Sequence, residues 1–243
     1  KIANFLDRKT AQIDEAIAQK EQLIELLKER QQVLIHKAVT QGLDDSVEMK
    51  DSGVEWIGKI PKHWEVKRMK DIFHTGRGRV VSKLELKEDG KYPVYSSQTK
   101  NDGCLGYIDT YDFDAELLTW TTDGVNAGTI FKRKGKFNCT NICGTLLPRS
   151  NKFLLEFLKY SVQLSTSHNK RIDTNGAKIM NNEMKIIMTL LPPKSEQTKI
   201  ANYLDQKTTA IDKKIDLLTT KINHYQTLKK SLINETVCRG LDK

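Results

Sequence analysis

The sequence has few cysteines, and they are unevenly spaced. The four cysteines in 243 residues are Cys104, Cys139, Cys143 and Cys238. Small secreted domains that depend on disulfides carry a much denser cysteine pattern, so a disulfide framework is excluded. Cys139 and Cys143 have no histidine or second cysteine pair nearby at a zinc-binding spacing, and we therefore expect no metal site.

Long apolar runs and catalytic motifs are missing as well. No run approaches the roughly 18 residues of a membrane span, and we find no signal peptide, so we expect a cytoplasmic protein without a membrane segment. The sequence has no glycine-rich phosphate loop, no dinucleotide fingerprint and no paired histidine motif. Glu85-Leu-Lys87 matches half of a metal-dependent nuclease motif, but no Pro-Asp pair precedes it. We expect a binding protein that uses no cofactor, with a nuclease as a weaker alternative.

The sequence does contain a long repeat, with one copy at each end. Residues 1–44 align without a gap with residues 199–242, and 18 of the 44 aligned positions are identical. Such a repeat indicates one element used twice around a different centre. Pro192-Pro193, followed by Ser195 as a helix cap, predicts the entry to the second copy. The first copy lacks this entry, and we expect a similar segment upstream of Lys1 in a longer chain.

Each copy of the repeat predicts a short helical turn followed by a long amphipathic helix. Apolar residues alternate at four-three spacing, which gives one narrow stripe of the kind seen in coiled coils. Polar residues interrupt the stripes at Lys20, Gln31 and Lys229. The stripe residues are Ile13, Ile17, Ile24, Leu27 and Leu34 in the first copy, and Ile211, Ile215, Leu218, Ile222, Tyr225 and Leu232 in the second.

We expect Thr10 and Thr208 to begin the long helices and Gly42 and Gly240 to end them. The two stripes would most simply bury each other as an antiparallel pair. Alternatively, each helix lies along the central domain or meets another chain.

The centre of the chain predicts a β-rich domain. Strand-sized segments at 90–97, 104–108, 116–121, 128–131 and 136–140 are separated by turn sequences, and a helix is predicted at Phe153–Leu164. A last strand is predicted at Met184–Leu191. The predicted fold class is therefore α+β, with one mostly antiparallel domain at residues 45–198 between helical regions at 1–44 and 199–243.

Charge and turn composition favour nucleic acid as the partner. The net charge is +9, and Lys59–Lys83 holds eight basic residues against Glu65 and Asp71. Side chains suited to bases or phosphates are concentrated in three turns, although the same residue types are ordinary in turns and solvated surfaces. The candidate DNA-binding residues are Arg77, Arg79, Ser97, Gln98, Lys100, Asn101, Thr121, Thr122, Asn126, Lys170, Arg171 and Asn175.

The order of these segments resembles a known family. Trp56-Ile-Gly-Lys-Ile-Pro-Lys-His-Trp-Glu65 resembles the opening of a target recognition domain in the DNA-specificity subunits of type I restriction-modification systems. Leu191-Pro-Pro-Lys-Ser-Glu-Gln197 and Lys199-Ile-Ala-Asn-Tyr-Leu-Asp205 resemble the entry to that family's conserved helical regions. The family pattern has two recognition domains, whereas this chain has one, so it resembles the C-terminal half of such a subunit or a truncated half-subunit.

The resemblance implies a non-catalytic protein whose recognition domain reads one half of a split target in double-stranded DNA. The helices would set the half-site separation and dock methyltransferase subunits. Methylation, translocation and cleavage would belong to the methyltransferase and restriction subunits, and a second half-subunit would be a further partner. A coiled-coil assembly protein whose central domain binds protein remains an alternative.

Overall fold

The computed structural model describes residues 2–174 and 176–240, without the side chains of Asp173 and Arg239. The helices are α1 Ile2–Gln41, α2 Met69–Ile72, α3 Leu155–His168, α4 Asn181–Ile186 and α5 Lys194–Arg239. The strands are β1 Met49–Asp51, β2 Lys59–Pro61, β3 Glu65–Arg68, β4 Phe73–Arg77, β5 Tyr92–Tyr95, β6 Cys104–Ile108, β7 Phe113–Thr121, β8 Ile130–Cys139, β9 Cys143–Pro148, β10 Arg171–Asp173, β11 Gly176–Lys178 and β12 Met188–Leu191.

The chain divides into two compact units, and the division falls within both long helices. Lys1–Ile35 and Tyr203–Lys243 form the helix unit, and His36–Asn202 form the central unit. A β-rich domain between two long helices confirms the predicted fold class. No described helix is long and apolar enough to cross a membrane.

The helix unit is an antiparallel pair within one chain. Ile24, Ile211 and Ile222 are buried, and the other predicted stripe positions are half-buried among exposed neighbours. The four-three spacing therefore identified the buried face of both helices, since residues three and four apart lie on one side of a helix.

The polar residues that interrupt the stripes contact the opposite helix. The Gln31 side-chain amide donates to Asp212 at 2.8 Å, and the Lys229 ammonium lies 2.6 Å from the Asp14 carboxylate. The Lys20 ammonium lies 4.8 Å from the centre of the Tyr225 ring. Such partly exposed polar contacts contribute little free energy, but they favour one register of the pair because a shift would leave them unmatched.

The predicted helix starts are wrong, and the predicted ends are confirmed. Thr10 lies inside α1, where its hydroxyl donates to the Leu6 carbonyl at 2.8 Å, and Thr208 lies inside α5. Each long helix is therefore continuous through its threonine, and a threonine hydroxyl inside a helix can donate to the carbonyl of the preceding turn. Gly42 and Gly240 take left-handed conformations just after the helices, with φ of 80° and 82°. Ser195 also lies within α5 and does not cap it.

A six-stranded sheet forms the centre of the central unit. The strand order is β4-β9-β7-β8-β5-β6, and only the β5–β8 pair is parallel. The predicted antiparallel character is therefore confirmed. Smaller antiparallel pairs join β1 to β2, β3 to β12 and β10 to β11. Helix α3 packs against β8 and β12.

Two strand predictions need correction. The segments 128–131 and 136–140 belong largely to one strand, β8, which continues through Gly135 at a φ of 86°. A strand can accommodate a glycine with positive φ as a local irregularity, so Gly135 does not end β8. The predicted strand at Met184–Leu191 begins too early, because α4 extends to Ile186 and only β12 is extended.

The core of the sheet depends on a match between Trp120 and Gly144. These residues are direct partners between β7 and β9, and Trp120 is fully buried. A Cβ at position 144 would lie 2.1 Å from a Trp120 ring atom, so only glycine fits opposite this ring. The indole nitrogen donates to the Ile179 carbonyl at 2.9 Å, which satisfies its hydrogen bond inside the core.

Trp64 connects three segments of the central unit that are far apart in sequence. Its buried indole nitrogen donates to Glu196 near the start of α5 at 2.8 Å, and His63 lies 2.6 Å from the other oxygen of that carboxylate. The ring also packs against Gly42, where a Cβ would lie 3.2 Å from it. Trp64 thus joins the end of α1, the beginning of the β-rich segment and the beginning of α5.

We expect the loss of the Glu196 carboxylate to destabilise the chain. Glu196→Ala leaves the buried Trp64 N–H without its acceptor, which should lower the free energy of unfolding by about 1–3 kcal/mol. Glu196→Gln keeps an acceptor oxygen and should cost less than about 1 kcal/mol. Denaturant titration of the purified variants measures both. Glu88→Ala, which removes an exposed carboxylate, is the control, and equal midpoints for Glu196→Ala and Glu88→Ala would contradict the expectation.

Candidate nucleic-acid interface

The sheet curls strongly around β7. Phe113 at one end of β7 pairs with Phe137, and Thr121 at the other end pairs with Cys143. The length of β7 between these positions is about 27 Å, whereas the chain from Phe137 to Cys143 can span only about 21 Å. A flat sheet cannot satisfy both pairings. The end of β8 therefore curves back towards the end of β7.

This curl determines where the loop after β5 emerges. β5 runs parallel to β8, with Tyr95 opposite Cys139, and the Tyr95 carbonyl accepts from the Thr140 N–H at 2.9 Å. The chain that leaves β5 therefore begins beside the turn at 140–142. The Thr122 N–H donates to Ile142 in that same turn at 3.0 Å, so the loop after β7 begins there too.

Three loops meet at this end of the sheet and form what we call the three-loop surface. It comprises the 96–103 loop, the 122–128 loop and the 171–178 hairpin, of which Asn175 lies outside the described residues. The Asn126 side-chain amide donates to the Ser97 carbonyl at 3.0 Å and joins the first two loops. The Gly124 N–H donates to Ala177 at 3.0 Å and joins the second loop to the hairpin. All three candidate turns found in the sequence therefore lie together.

Arg77 lies at the margin of this surface. It is exposed at the end of β4, and its guanidinium donates to the carbonyl of Asn141 in the 140–142 turn. On the other side of that turn, Ile142 bonds to the 122–128 loop. A basic side chain therefore borders the three loops, although it is distant from them in sequence.

The exposed candidates on the three-loop surface are mainly basic. Lys100 and Asn101 are exposed on the 96–103 loop, Arg171 is exposed at the start of the hairpin, and Lys170 is exposed directly before it. Arg171 also contacts the Glu183 carboxylate at 2.8 Å, a partly exposed pair that can exchange partners at low cost. Ammonium and guanidinium groups suit phosphates, and an exposed amide suits a base edge.

Other candidate residues hold the loops together. Asn126 and Gln98 are half-buried, and each donates its side-chain amide to a carbonyl of the 96–103 segment or the strand that follows. Ser97 is half-buried, and its carbonyl accepts from Asn126. These side chains fix the shape of the surface, and only part of each remains accessible to a ligand.

Thr121, Thr122 and Arg79 are poorly placed for contact with a ligand. Both threonines are buried, and the Thr122 hydroxyl donates to the Ile142 carbonyl at 3.1 Å. They were candidates because hydroxyls are common in phosphate sites, but the curl of the sheet covers them. Arg79 is half-buried between Glu85 at 2.9 Å and Asp112 at 3.1 Å. We therefore centre the candidate site on the exposed residues of the loops.

The two residues that suggested a nuclease are part of a structural network. The Ser82 N–H and the Arg79 guanidinium hold the pKa of Glu85 below its ordinary value. Lys87 is paired with Asp109 at 2.6 Å. Among the described residues no group of three potential metal ligands lies together. Glu85 and Lys87 therefore stabilise the segment before β5, and their contacts give no support to a nuclease site.

Several residues of the interface were missed in the sequence. Val125 and Ile172 expose 98% and 83% of their surfaces at the tips of two joined loops. Asn141 contributes the carbonyl that holds Arg77, and Arg133 binds the 96–103 loop from within the domain. Val125 could have been predicted to be exposed, because an apolar residue between turn residues, as in Gly124-Val-Asn126, lies at a loop tip. No local pattern distinguishes Arg133 from a solvated strand residue.

Comparison with known proteins identifies the family. The profile of the type I restriction modification DNA specificity domain matches residues 61–224. A Mycoplasma pneumoniae protein provisionally described as the N-terminus of a type I specificity subunit is 40% identical over 139 residues, 57% of this chain and 74% of its own length. The specificity subunit of the type I restriction enzyme MpnII from M. pneumoniae is 33% identical over 180 residues, 71% of this chain and 54% of its own.

Solved structures support the same fold. A chain from a structural study of assembly and conformational transition in the type I restriction-modification system gives a TM-score of 0.74 at 12% identity, over 99% of this chain and 59% of that one. The HsdS subunit of Thermoanaerobacter tengcongensis gives 0.62 at 11% identity, over 99% and 58%.

The chain thus spans less than two thirds of the solved subunits, and 54% of the MpnII subunit. The named relatives are specificity subunits, which are non-catalytic, because catalysis lies in other subunits of these systems. The family profile covers most of the chain, and of the three strings quoted above it includes two in full and the second half of the first. The chain therefore belongs to the DNA-specificity subunits of type I restriction-modification systems.

Proposed function

We propose that the three-loop surface reads one half of a split DNA target. The observation that carries this proposal is the convergence of three polar loops on one end of a curled sheet, where the basic residues Lys100, Lys170, Arg171 and Arg77 are exposed. Hydrogen bonds between the loops at 3.0 Å keep them in a fixed relation to one another. A fixed set of side chains can match the spacing of groups in a DNA groove, whereas independent loops would each lose entropy on binding.

The side chains on this surface divide between two tasks. Lys100, Lys170 and Arg77 would bind phosphates, which supplies affinity without sequence information. Asn101 would contact a base edge, since an amide can donate and accept at once. Val125 would contribute an apolar contact, such as one to a thymine methyl group. Arg171 can take either role.

We propose residues 45–198 as the target recognition domain and residues 1–44 and 199–243 as the helical regions. The chain would supply recognition only, and S-adenosylmethionine would be bound by the methyltransferase subunits. Restriction subunits would complete the assembly by translocating and cleaving DNA.

A cell that makes this chain with its cognate methyltransferase subunits should methylate a split motif. One recognition surface accounts for one half-site, so the second half needs another reader. If two copies of the chain pair, the assembly gains two-fold symmetry and the motif should be palindromic. Single-molecule methylation sequencing of the cell's DNA measures this. A continuous motif, or no methylation by an assembled complex, would contradict the proposal.

The salt dependence of DNA binding should locate the phosphate contacts. Lys100→Ala combined with Lys170→Ala should make the slope of log K against log salt shallower by about 2, because each lost phosphate contact changes it by about 1. Fluorescence anisotropy with a duplex that carries the methylated motif measures the slope for the complex.

The matched control for this experiment is Lys213→Ala with Lys221→Ala. These two lysines are exposed on α5, and the pair removes the same charge from the helix unit. The control slope should stay close to that of the natural chain. Equal changes in both double variants would mean that net charge, and not the three-loop surface, determines binding. That outcome would favour the alternative in which the central domain binds protein.

The helix unit carries an exposed apolar flank that suits a methyltransferase subunit. Leu26 and Leu217 are 54% and 56% exposed, and Leu23 is also exposed. The Asp14–Lys229 and Gln31–Asp212 contacts set the register, which places Leu26 opposite Leu217. Each of these leucines stands one residue before a stripe position. In an antiparallel pair such positions share one flank, so the exposed leucines form a single patch of the type that marks protein interfaces.

Charge on this flank should release the methyltransferase subunits while DNA recognition is kept. Leu26→Glu with Leu217→Glu places two carboxylates in the patch, where burial against a partner would require costly desolvation. We expect at least about a tenfold loss of affinity for the methyltransferase subunits, measured by analytical ultracentrifugation. Gln22→Glu with Thr220→Glu adds the same charge at exposed positions outside the flank. Loss of assembly in this control, or full assembly of the leucine variant, would contradict the role of the flank.

A further inference from the structure

A buried arginine holds the 96–103 loop from inside the domain. The Arg133 side chain is only 2% exposed, and its guanidinium donates to the Asp102 carboxylate at 2.5 Å and to the Asp102 carbonyl at 2.7 Å. The guanidinium carbon lies 3.6 Å from the centre of the Tyr95 ring and 4.4 Å from that of Phe131. Two aromatic rings and two acceptors thus fix the plane of this group.

The loop that Arg133 holds has an unusual backbone. Asn101 and Asp102 both lie in the left-handed region, with φ of 50° and 53°, and Gly103 follows with a φ of 77°. Consecutive left-handed residues that are not glycine cost free energy and persist only where their surroundings impose them. A Cβ at position 103 would lie 2.9 Å from the Arg133 guanidinium, so any other residue there would displace this contact.

Further hydrogen bonds hold the loop at its other positions. The Ser96 N–H donates to the Gly103 carbonyl at 2.9 Å and closes the base of the loop. Gln98 donates to the Cys104 carbonyl, and Asn126 donates to the Ser97 carbonyl. Lys100 and Asn101 remain exposed at the tip. These inward contacts therefore fix the backbone from which the two side chains project.

Stability of the core does not explain this arrangement. Burial of a guanidinium is costly, and apolar residues of similar volume often stabilise a core as well or better. The Arg133 Nε is buried and has no hydrogen-bond acceptor among the described residues, so the pairing is incomplete. What the arginine does accomplish is the fixed placement of a polar surface loop. A loop ordered in advance loses less entropy when it binds and presents one geometry to its ligand.

We propose that Arg133 is a positioning residue that sets the base preference of the half-site by holding Asn101 in its left-handed conformation. This inference rests on the proposed function of the three-loop surface. Arg133 is too deeply buried to touch DNA, so it acts through the loop. Discrimination between bases depends on the direction of the Asn101 amide, whereas phosphate attraction depends on charge and tolerates movement.

The test compares sequence discrimination with general DNA affinity for the chain in complex with its methyltransferase subunits. Duplexes carry either the methylated motif or the same motif with one base pair of the half-site changed. Arg133→Lys keeps the charge but cannot bond both Asp102 acceptors in the same plane. We expect the affinity for the methylated motif, divided by the affinity for the changed motif, to fall by about tenfold or more. A loss of that size is typical when a bidentate hydrogen bond to a base is removed. The slope of affinity against salt should stay unchanged.

A second pair of variants protects the test against a folding defect. Asp102→Gly removes the carboxylate at an exposed position, and glycine accepts the left-handed conformation. It should lose discrimination as Arg133→Lys does. Asp102→Asn keeps an acceptor and also tolerates this conformation, so it should restore most of the discrimination. The double variant of Arg133→Lys with Asn101→Ala should discriminate no worse than Asn101→Ala alone.

The possible outcomes distinguish failure of the proposed function from failure of the role of Arg133. If the natural chain shows no sequence discrimination, the proposed function and this inference both fail. If the natural chain discriminates and Asp102→Gly discriminates equally well, only the role of Arg133 is overturned. The role is also overturned if Asp102→Gly lowers the affinities for both duplexes by the same factor, because a merely structural contact would act in that way. Loss of discrimination alone, with rescue by Asp102→Asn, supports it.

Discussion

The pairing of β7 on both sides is the constraint on which the rest of the central unit depends. The first residues of β7 pair with the end of β8, and its last residues pair with the start of β9. Only a short turn joins β8 to β9. The sheet must curl to satisfy both. Because of that curl, the loops that leave β5 and β7 emerge together beside the 140–142 turn. Residues 70 positions apart, such as Asn101 and Arg171, therefore share one surface. Gly144 is needed for the same reason, since Trp120 fills the inside of the curl.

The family motifs make physical sense once the contacts of Trp64 are known. The string that ends in Trp64-Glu65 and the string that contains Glu196 meet at the Glu196 carboxylate, which contacts both His63 and the buried Trp64 indole. Gln197, the next residue, accepts from the Leu154 N–H at 2.9 Å and donates to the Pro192 carbonyl at 2.8 Å. These residues anchor the beginnings and ends of segments, and none of them contributes to the three-loop surface. A motif can therefore identify the family while the residues that determine its target lie elsewhere.

The sequence was most informative where structure follows from local periodicity. The stripes from Ile13 to Leu34 and from Ile211 to Leu232 predicted the buried faces of both helices, because burial on a helix repeats every three or four residues. Thr10 was misread as a helix start because a threonine hydroxyl serves equally well as a cap or as a donor to the preceding turn. The strands around Cys104 and Trp120 were found from composition, whereas the partner of each strand was not, since pairing depends on long-range packing.

The candidate site could be predicted only as a set of turns. Lys100, Asn101, Lys170 and Arg171 are exposed as their residue types suggest, but Thr121 and Thr122 are covered by the 140–142 turn, which nothing in their own segment indicates. Arg133 is the opposite case, because a basic residue between Lys132 and Lys134 in a strand suggests a solvated face. Its burial follows from the curl of the sheet and from the two rings that enclose it. Burial of a polar group is a tertiary property, so sequence alone identifies such residues poorly.

A protein that selects a DNA sequence without catalysing a reaction must rely entirely on geometry. Its discrimination is a difference between two binding free energies, and a flexible loop would reduce that difference by adapting to the wrong base. The strained backbone at Asn101 and Asp102 is unfavourable for folding, and so is the burial of a guanidinium with one unpaired donor. Both are tolerated because the sheet around them is well packed, with Trp120, Phe137 and Leu117 fully or almost fully buried. The stability of the core thus permits a surface loop that is unfavourable by itself, and the rigidity of that loop is what a reader of bases requires.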